Sequence, residues 1–210
     1  MTASRIHGLY VIIDPDACAG RDPVDIARLA LEGGASMVQW REKRRDKGEQ
    51  LPQAQAIREL RAQHEALFVV NDHVDLALVV NAGGVHLGQR DLPLAAARAL
   101  VPAEFIVGVS TNNVEEARRA QAGGASYVAV GSIFASGSKE VTRQADPERL
   151  REVKAAIDRP VVAIGGIDAS NVDRVLAAGA DAVAVISAVC AANDVRAAAQ
   201  ELAGRFEGRF

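Results

Sequence analysis

The sequence predicts an α/β fold in which eight parallel strands alternate with helices. Short apolar runs recur along the chain without strict alternation of apolar and polar residues, which is typical of strands covered on both faces. Helical stretches separate these runs, and a glycine-containing phrase stands before several of them. Most runs end in polar residues in the same chain direction, so parallel strands would gather those side chains at one edge of the sheet.

Eight strand candidates account for the apolar runs. They cover residues 9–13, 36–41, 67–71, 84–87, 105–109, 126–130, 160–164 and 182–186. Eight β/α alternations with right-handed crossovers favour a closed (βα)8 TIM barrel over an open doubly wound sheet. A flavodoxin-like open sheet is the alternative, and it would leave about three strands unexplained.

Capping side chains mark the predicted starts of four helices. These are Asp22 and Asp146, each followed by proline, and Asn113 and Ser170, each followed three residues later by an acid. Phrases such as Glu32-Gly33-Gly34-Ala35 mark helix ends just before a strand, because glycine takes the left-handed conformation that terminates a helix. The repeated phrase indicates that one type of αβ loop recurs around the fold.

Composition and charge limit the class of protein. A chain of 210 residues suits one domain, so we expect a single α/β barrel over residues 1–210. The net charge of −3 argues against a nucleic-acid partner. Two cysteines cannot build a disulfide framework, and no apolar stretch resembles a signal peptide or a membrane span. We therefore expect a cytoplasmic protein without membrane contact. A homo-oligomer is compatible with the sequence, which does not determine the oligomeric state.

Polar residues alternate at the end of the second strand candidate. Strand periodicity puts Gln39, Arg41 and Lys43 on one side, facing inward or over the barrel mouth, and it puts Trp40 beneath the helices. Two cations and an amide suit a phosphate or diphosphate, since arginine offers a planar fork and lysine a mobile point charge. The alternative is that residues 41–47 form a solvated charged loop.

Asp72 and Asp91 each follow one of two consecutive strand candidates. Neighbouring parallel strands would let both carboxylates converge on one hard cation. Magnesium suits such a site, because it takes few protein ligands together with water and a phosphate-bearing partner. The alternative is that each aspartate caps the helix that follows it. The cationic cluster on the preceding strand favours the metal site.

Two further segments are predicted to bind an anion. The long segment 132–145 lacks helical and strand periodicity, so it is either a binding lid or an ordinary surface loop. Its candidate binding residues are Ser136, Ser138 and Lys139. Gly165-Gly166 follows the seventh strand and Ile186-Ser187 the eighth, where barrels of this kind commonly hold a phosphate through backbone N–H groups.

The candidate residues thus describe two phosphate-type sites without a nucleophile paired to a base. His86 lies within a strand, where we expect a core histidine or one that supports other site residues. Departure of a diphosphate assisted by a metal and by cations fits this set better than acid–base chemistry.

Seven motifs follow one another along nearly the whole chain: Val38-Gln39-Trp40-Arg41-Glu42-Lys43, Asn71-Asp72-His73-Val74-Asp75, His86-Leu87-Gly88-Gln89-Arg90-Asp91-Leu92-Pro93, Gly108-Val109-Ser110-Thr111, Ser136-Gly137-Ser138-Lys139, Ala163-Ile164-Gly165-Gly166-Ile167 and Val185-Ile186-Ser187. Together they resemble the thiamine phosphate synthase family. The resemblance implies a (βα)8-barrel transferase of thiamine biosynthesis, which joins hydroxymethylpyrimidine diphosphate to hydroxyethylthiazole phosphate and releases diphosphate. It also implies magnesium-assisted ionisation to a pyrimidine-stabilised carbocation, which the thiazole nitrogen captures.

The same resemblance implies a role for each matched residue. The pyrimidine diphosphate would be bound by Gln39, Arg41, Lys43, Asn71, Ser110 and Lys139. Magnesium would be held by Asp72 and Asp91. The thiazole phosphate would be bound by Ser136, Ser138, Gly166, Ile186 and Ser187. Electrostatic stabilisation of the leaving diphosphate would supply most of the catalysis, with Arg41, Lys43, Ser110 and Lys139 as the catalytic residues.

Two other functions are alternatives on the same barrel. A thiazole tautomerase resembles the synthase but tends to lose the diphosphate residues, and a non-catalytic barrel would only bind a phosphorylated ligand. The chain departs modestly from the family pattern at Ser132, where proline is frequent, and at Ser136 or Ser138, where threonine is frequent. Retention of the diphosphate and metal residues favours the synthase.

Overall fold

Eight parallel strands close into a barrel in the computed structural model, which describes residues 6–134 and 145–208. The strands are β1 (Gly8–Ile13), β2 (Met37–Trp40), β3 (Leu67–Asn71), β4 (Gly84–Leu87), β5 (Ile106–Thr111), β6 (Tyr127–Val130), β7 (Val161–Ile164) and β8 (Ala182–Val185). Each strand pairs with the next along the chain, and β8 pairs with β1. The predicted TIM barrel is confirmed, and the open flavodoxin-like sheet is wrong.

Helices follow the strands and cover the outside of the barrel. Those in the described part of the chain are α1 (Pro23–Glu32), α2 (Lys47–His64), α3 (Val74–Val79), α4 (Leu94–Leu100), α5 (Val114–Ala122), α6 (Pro147–Ala156), α7 (Val172–Ala177), α8 (Ser187–Cys190) and α9 (Val195–Gly204). None of these described helices has the length and apolar character needed to cross a bilayer.

Three of the four predicted helix caps are confirmed, and each accepts a backbone N–H of the first turn: Asp22, Asn113 and Asp146. The prediction for Ser170 is wrong, because α7 begins at Val172 and the residue before it is Asn171. The Ser170 hydroxyl donates instead to the Asp168 carboxylate at 2.6 Å. A carboxylate two residues away competes for the serine, so the serine belongs to the turn before the helix.

Two apolar layers lie on opposite faces of the strands. One fills the barrel and includes Tyr10 and Tyr127, and the other lies between the strands and helices and includes Val11 and Trp40. Alternation of side chains along each strand produces this division. Gly108 makes room for a large inner residue, since a Cβ at this position would lie 2.1 Å from Cζ of Tyr127.

Candidate active site

A cavity of about 500 Å³ opens at the carboxyl ends of the strands. Its floor is formed by inner residues of the barrel, such as Ile12, Ala129 and Ala184. Its polar lining includes the predicted residues Gln39, Arg41, Lys43, Asn71, Asp72, Asp91 and Ser110. The strand ends therefore bring together the predicted metal residues and the predicted diphosphate residues other than Lys139, which lies outside the described residues.

Strand alternation at β2 places its polar residues as predicted. Gln39 is buried inside the barrel and donates from Nε2 to the Tyr10 hydroxyl, whereas Trp40 is buried on the opposite, helix-facing side. Arg41 and Lys43 follow on the inner side and line the cavity. The prediction of an inward cationic cluster is confirmed for these side chains.

Arg41 and Lys43 line the cavity, and each is paired with a carboxylate. Arg41 Nη1 forms an ion pair with Asp14, and Lys43 Nζ forms one with Asp72. The next residue, Arg44, instead pairs with the exposed Asp16 at 3.0 Å outside the cavity. The interpretation as a solvated loop therefore holds for Arg44 but not for Arg41 and Lys43.

Glu42 shapes the loop that presents Lys43. Its carboxylate is buried and accepts hydrogen bonds from the backbone N–H groups of Arg44 and Arg45 and from Nε of Arg45, the last at 2.7 Å. Burial acts to raise the pKa of Glu42, but these hydrogen bonds together outweigh it and hold the pKa below its usual value. The charged carboxylate thus fixes the turn.

The carboxyl groups of Asp72 and Asp91 meet at the cavity. Both side chains line it, and burial and the adjacent Asp72 carboxyl group raise the pKa of Asp91. Asp91 is held there by the backbone N–H of Gly88 at 2.7 Å. Asp72 takes the left-handed conformation, with φ of 62°, which aspartate tolerates better than most residues. The predicted proximity of the two carboxyl groups is confirmed, and the metal between them stays a prediction.

Neither aspartate caps a helix. The residue before α3 is His73 and the residue before α4 is Pro93, and neither helix receives a side-chain cap. No group of three or more metal-ligating side chains occurs among the described residues. Two carboxylates with hard oxygen donors fit magnesium, which keeps several waters and takes further oxygens from a phosphate.

A chain of buried hydrogen bonds crosses the cavity floor from β2 to β5. It runs from Gln39 to the Tyr10 hydroxyl, then to the Tyr127 hydroxyl at 3.2 Å. From Tyr127 it continues to Nδ1 of His86 at 3.0 Å, and Nε2 of His86 lies 2.9 Å from the Ser110 hydroxyl. Burial raises the pKa of both tyrosines, so their hydroxyls stay protonated. His86 supports Ser110, in line with its predicted supporting role.

Tyr10, Tyr127 and Asp14 belong to the site and its supports but were not predicted there from the sequence. The two tyrosines occupy inward positions of β1 and β6, so strand alternation in a chain poor in aromatics was the signal that could have revealed them. Asp14 follows β1 directly, and its position at a strand end was the corresponding signal.

The residues predicted to bind the second phosphate lie at the ends of β7 and β8. Gly165 and Gly166 have φ of 102° and 63°, and Nδ2 of Asn171 donates to the Gly166 carbonyl at 2.8 Å. Ile186 is half-buried, and Ser187 is the exposed first residue of α8. Because β7 pairs with β8, the two segments adjoin, but neither lines the cavity below.

The predicted binding residues Ser136, Ser138 and Lys139 lie outside the described residues. The flanks of their segment are described. Ala145 N–H donates to the Ser132 carbonyl at 2.8 Å, and Phe134 N–H donates to the Gly165 carbonyl at 3.0 Å. The described flanks, Phe134 and Ala145, therefore lie beside the end of β7.

Fold and site together define a (βα)8-barrel enzyme whose cationic and acidic side chains meet at the carboxyl ends of the strands. The particular family follows from comparison with known proteins. The chain belongs to the thiamine monophosphate synthase family, which matches residues 9–189.

Individual relatives resemble the chain over nearly its whole length. The thiamine-phosphate synthase of Methanospirillum hungatei JF-1 is 48% identical over 197 residues, which cover 93% of this chain and 96% of that protein. The thiamine-phosphate synthase of Moorella thermoacetica is 48% identical over 195 residues, with 92% and 93% covered. The solved structure of a thiamine phosphate pyrophosphorylase from Pyrococcus furiosus has a TM-score of 0.86 and 42% identity, with 93% of each chain covered.

Proposed function

We propose that this chain is a thiamine-phosphate synthase that joins hydroxymethylpyrimidine diphosphate to hydroxyethylthiazole phosphate. The C–O bond from the pyrimidine methylene to diphosphate breaks, and the thiazole nitrogen forms a new C–N bond to that carbon. The observation that carries this proposal is the meeting of Arg41, Lys43, Asp72 and Asp91 in one cavity of a chain from this family.

The leaving diphosphate is the group that the cavity residues serve. Arg41 and Lys43 place positive charge where negative charge develops as the C–O bond breaks. The Lys43 side chain is half-exposed and forms an ion pair with Asp72. Its ammonium group can therefore reach a diphosphate bound over the carboxylates of Asp72 and Asp91. Asn71 and Ser110 line the same cavity and offer hydrogen bonds that orient the pyrimidine substrate.

Asp72 and Asp91 would hold magnesium, which when bound supplies a Lewis acid at the diphosphate oxygens. The paired carboxyl groups and their hard oxygen donors support this assignment. Lys139 would add a further cation to the same diphosphate.

The thiazole phosphate would bind at the adjoining ends of β7 and β8. The left-handed Gly166 and the exposed Ser187 at the start of α8 support a backbone site there, together with Ile186. Ser136 and Ser138 would complete it.

One assay tests the proposal against its alternatives. Purified protein is incubated with both substrates and magnesium, and thiamine phosphate is measured by chromatography. The synthase forms it, whereas a thiazole tautomerase converts only a thiazole substrate and a binding protein converts neither. If the folded protein forms no thiamine phosphate in this assay, the proposal is wrong.

The chain's wider setting is part of the same proposal. Its substrates are small molecules, as the family implies. Four further points stay predictions: the chain has no nucleic-acid partner, it is cytoplasmic, it forms a single domain, and it can form a homo-oligomer.

A further inference from the structure

Asp14 lies directly after β1 and behind Arg41 relative to the cavity. Arg41 lines the cavity and Asp14 does not, yet the Asp14 carboxylate forms an ion pair with Nη1 of Arg41. Asp14 is 8% exposed, so this carboxylate is held inside the protein. Asp14 can therefore affect a ligand in the cavity through its contact with Arg41.

Both ends of this contact are fixed before any ligand binds. Oδ1 of Asp14 accepts from the backbone N–H of Asp16 at 3.1 Å and thereby caps a short 3-10 turn. That leaves Oδ2 for Arg41. The Asp14 carbonyl is also held, since it accepts from the Ala17 N–H at 2.9 Å and from the Cys18 thiol at 3.2 Å.

The main chain of Arg41 is fixed in the same way. Its N–H donates to the Ile13 carbonyl at 3.0 Å, one residue before Asp14. The guanidinium is thus tied to the end of β1 through both its backbone and its side chain. An arginine held in one orientation loses little conformational freedom when it meets an anion.

Charge alone does not explain an acid at this place. A carboxylate behind a diphosphate site weakens the attraction for the anion, so the benefit that Asp14 can bring is orientation. We infer that Asp14 is a positioning residue, which aims the Arg41 guanidinium at the leaving diphosphate; this inference rests on the proposed function.

The test compares Asp14→Glu with Asp14 in two backgrounds, wild type and Arg41→Ala. Glutamate keeps the charge but moves the carboxylate by one methylene, so it changes geometry and not net charge. Binding of inorganic diphosphate with magnesium is measured by titration calorimetry. We expect Asp14→Glu to weaken binding by about fivefold in the wild type and by less than about twofold in Arg41→Ala, because coupled residues are not additive. An equal change in both backgrounds, or no change in either, would overturn the inference.

Asp16→Glu is the matched control, because Asp16 is exposed and pairs with Arg44 outside the cavity. It should bind diphosphate as the wild type does. If thermal unfolding shows that Asp14→Glu does not fold, Asp14→Asn replaces it, since asparagine can still accept from the Asp16 N–H. Asparagine also removes a negative charge, and the comparison between the wild-type and Arg41→Ala backgrounds separates that effect from the loss of orientation. A steady-state assay then separates positioning of Arg41 from a purely structural role of Asp14. For positioning, kcat should fall by about tenfold with KM changed less than about threefold.

The outcome also separates this inference from the proposed function. Diphosphate binding that depends on Asp14 through Arg41, in a protein that forms no thiamine phosphate, would support the positioning role and sink the proposed reaction. Conversely, if the protein forms thiamine phosphate but diphosphate binding shows no coupling between Asp14 and Arg41, the proposed reaction is supported and the positioning role is refuted.

Discussion

Asp72 and Asp91 bring their carboxyl groups together although 18 residues of chain and a helix separate them. The left-handed backbone at Asp72 and the Gly88 N–H bond to Asp91 hold the pair in place. Two acids at one point repel each other when both are charged, unless a cation lies between them. The pair is therefore the part of the site whose behaviour should depend most on magnesium and on pH.

Magnesium should raise the unfolding temperature of the protein, and more so at pH 7 than at pH 5. The pKa of Asp91 is raised in the folded state, so the folded state holds its proton more tightly than the unfolded chain does. Stability without metal consequently falls as the pH rises above the ordinary carboxyl pKa of about 3.9, through the raised value. Scanning calorimetry at both pH values measures the shift.

Asp91→Asn is the control for that experiment. It removes the charge that magnesium would neutralise, so the metal-induced shift should disappear at both pH values. An undiminished shift in this variant would place the metal elsewhere. Product formation by the wild type after complete chelation would likewise remove Asp72 and Asp91 from the proposed role.

Lys43→Ala should cripple turnover and leave binding of the thiazole phosphate nearly intact. Lys43 pairs with Asp72 and lines the cavity, whereas Gly166 and Ser187 do not line it. Loss of one charge-stabilising group costs about a hundredfold in kcat. Lys47→Ala is the matched control, because Lys47 pairs with the exposed Asp75 at 2.6 Å. Equal loss of turnover and of thiazole phosphate binding would show that the two sites are assigned wrongly.

Glu42→Gln should destabilise the protein in a pH-dependent way. Its lowered pKa means that the charged carboxylate adds stability above the ordinary glutamate pKa of about 4.3, and that this is lost as the pH falls through the lower folded value. Hydrogen bonds to a charged group contribute about 1.5–3 kcal/mol. Urea unfolding should therefore separate the variant from the wild type at pH 7, and the two should converge as the pH falls below the folded pKa of Glu42.

The matched control for Glu42 is Glu115→Gln. Glu115 is exposed on α5 and pairs with Arg119 at 3.0 Å, so its removal should have little effect at either pH. A constant difference between Glu42→Gln and the wild type across the pH range would contradict a role for the Glu42 charge.

Gly108→Ala should destabilise the barrel by about 1–3 kcal/mol, because the added methyl group meets the buried Tyr127 ring. Gly48→Ala provides the contrast, since a Cβ at Gly48 meets nothing within 4 Å and this residue lies in the first turn of α2. It should be neutral or stabilising by up to about 1 kcal/mol. Thermal unfolding of both variants tests the packing, and equal stabilities would refute it.

Structural features that depend on residues close together in the chain were predictable from the sequence. The inward position of Gln39 and the outward position of Trp40 follow from the two-residue period of a strand. Gly34 ends its helix with φ of 93°, as a glycine before a strand should. Ser170 was misassigned because Asp168, equally local, competes for the same hydrogen bonds, and propensity alone does not rank the two.

Contacts between distant parts of the chain were decided only by the tertiary structure. The Tyr10 and Tyr127 hydroxyls bond across 117 residues, and Asp14 reaches Arg41 across 27. A local pattern shows which face of a strand a side chain occupies, but not which strands lie opposite. Barrel closure pairs β8 with β1 and fixes the angle at which each strand end faces the cavity. The sequence by itself therefore determined the barrel and its polar rim, whereas closure determined which rim residues hold one another in position.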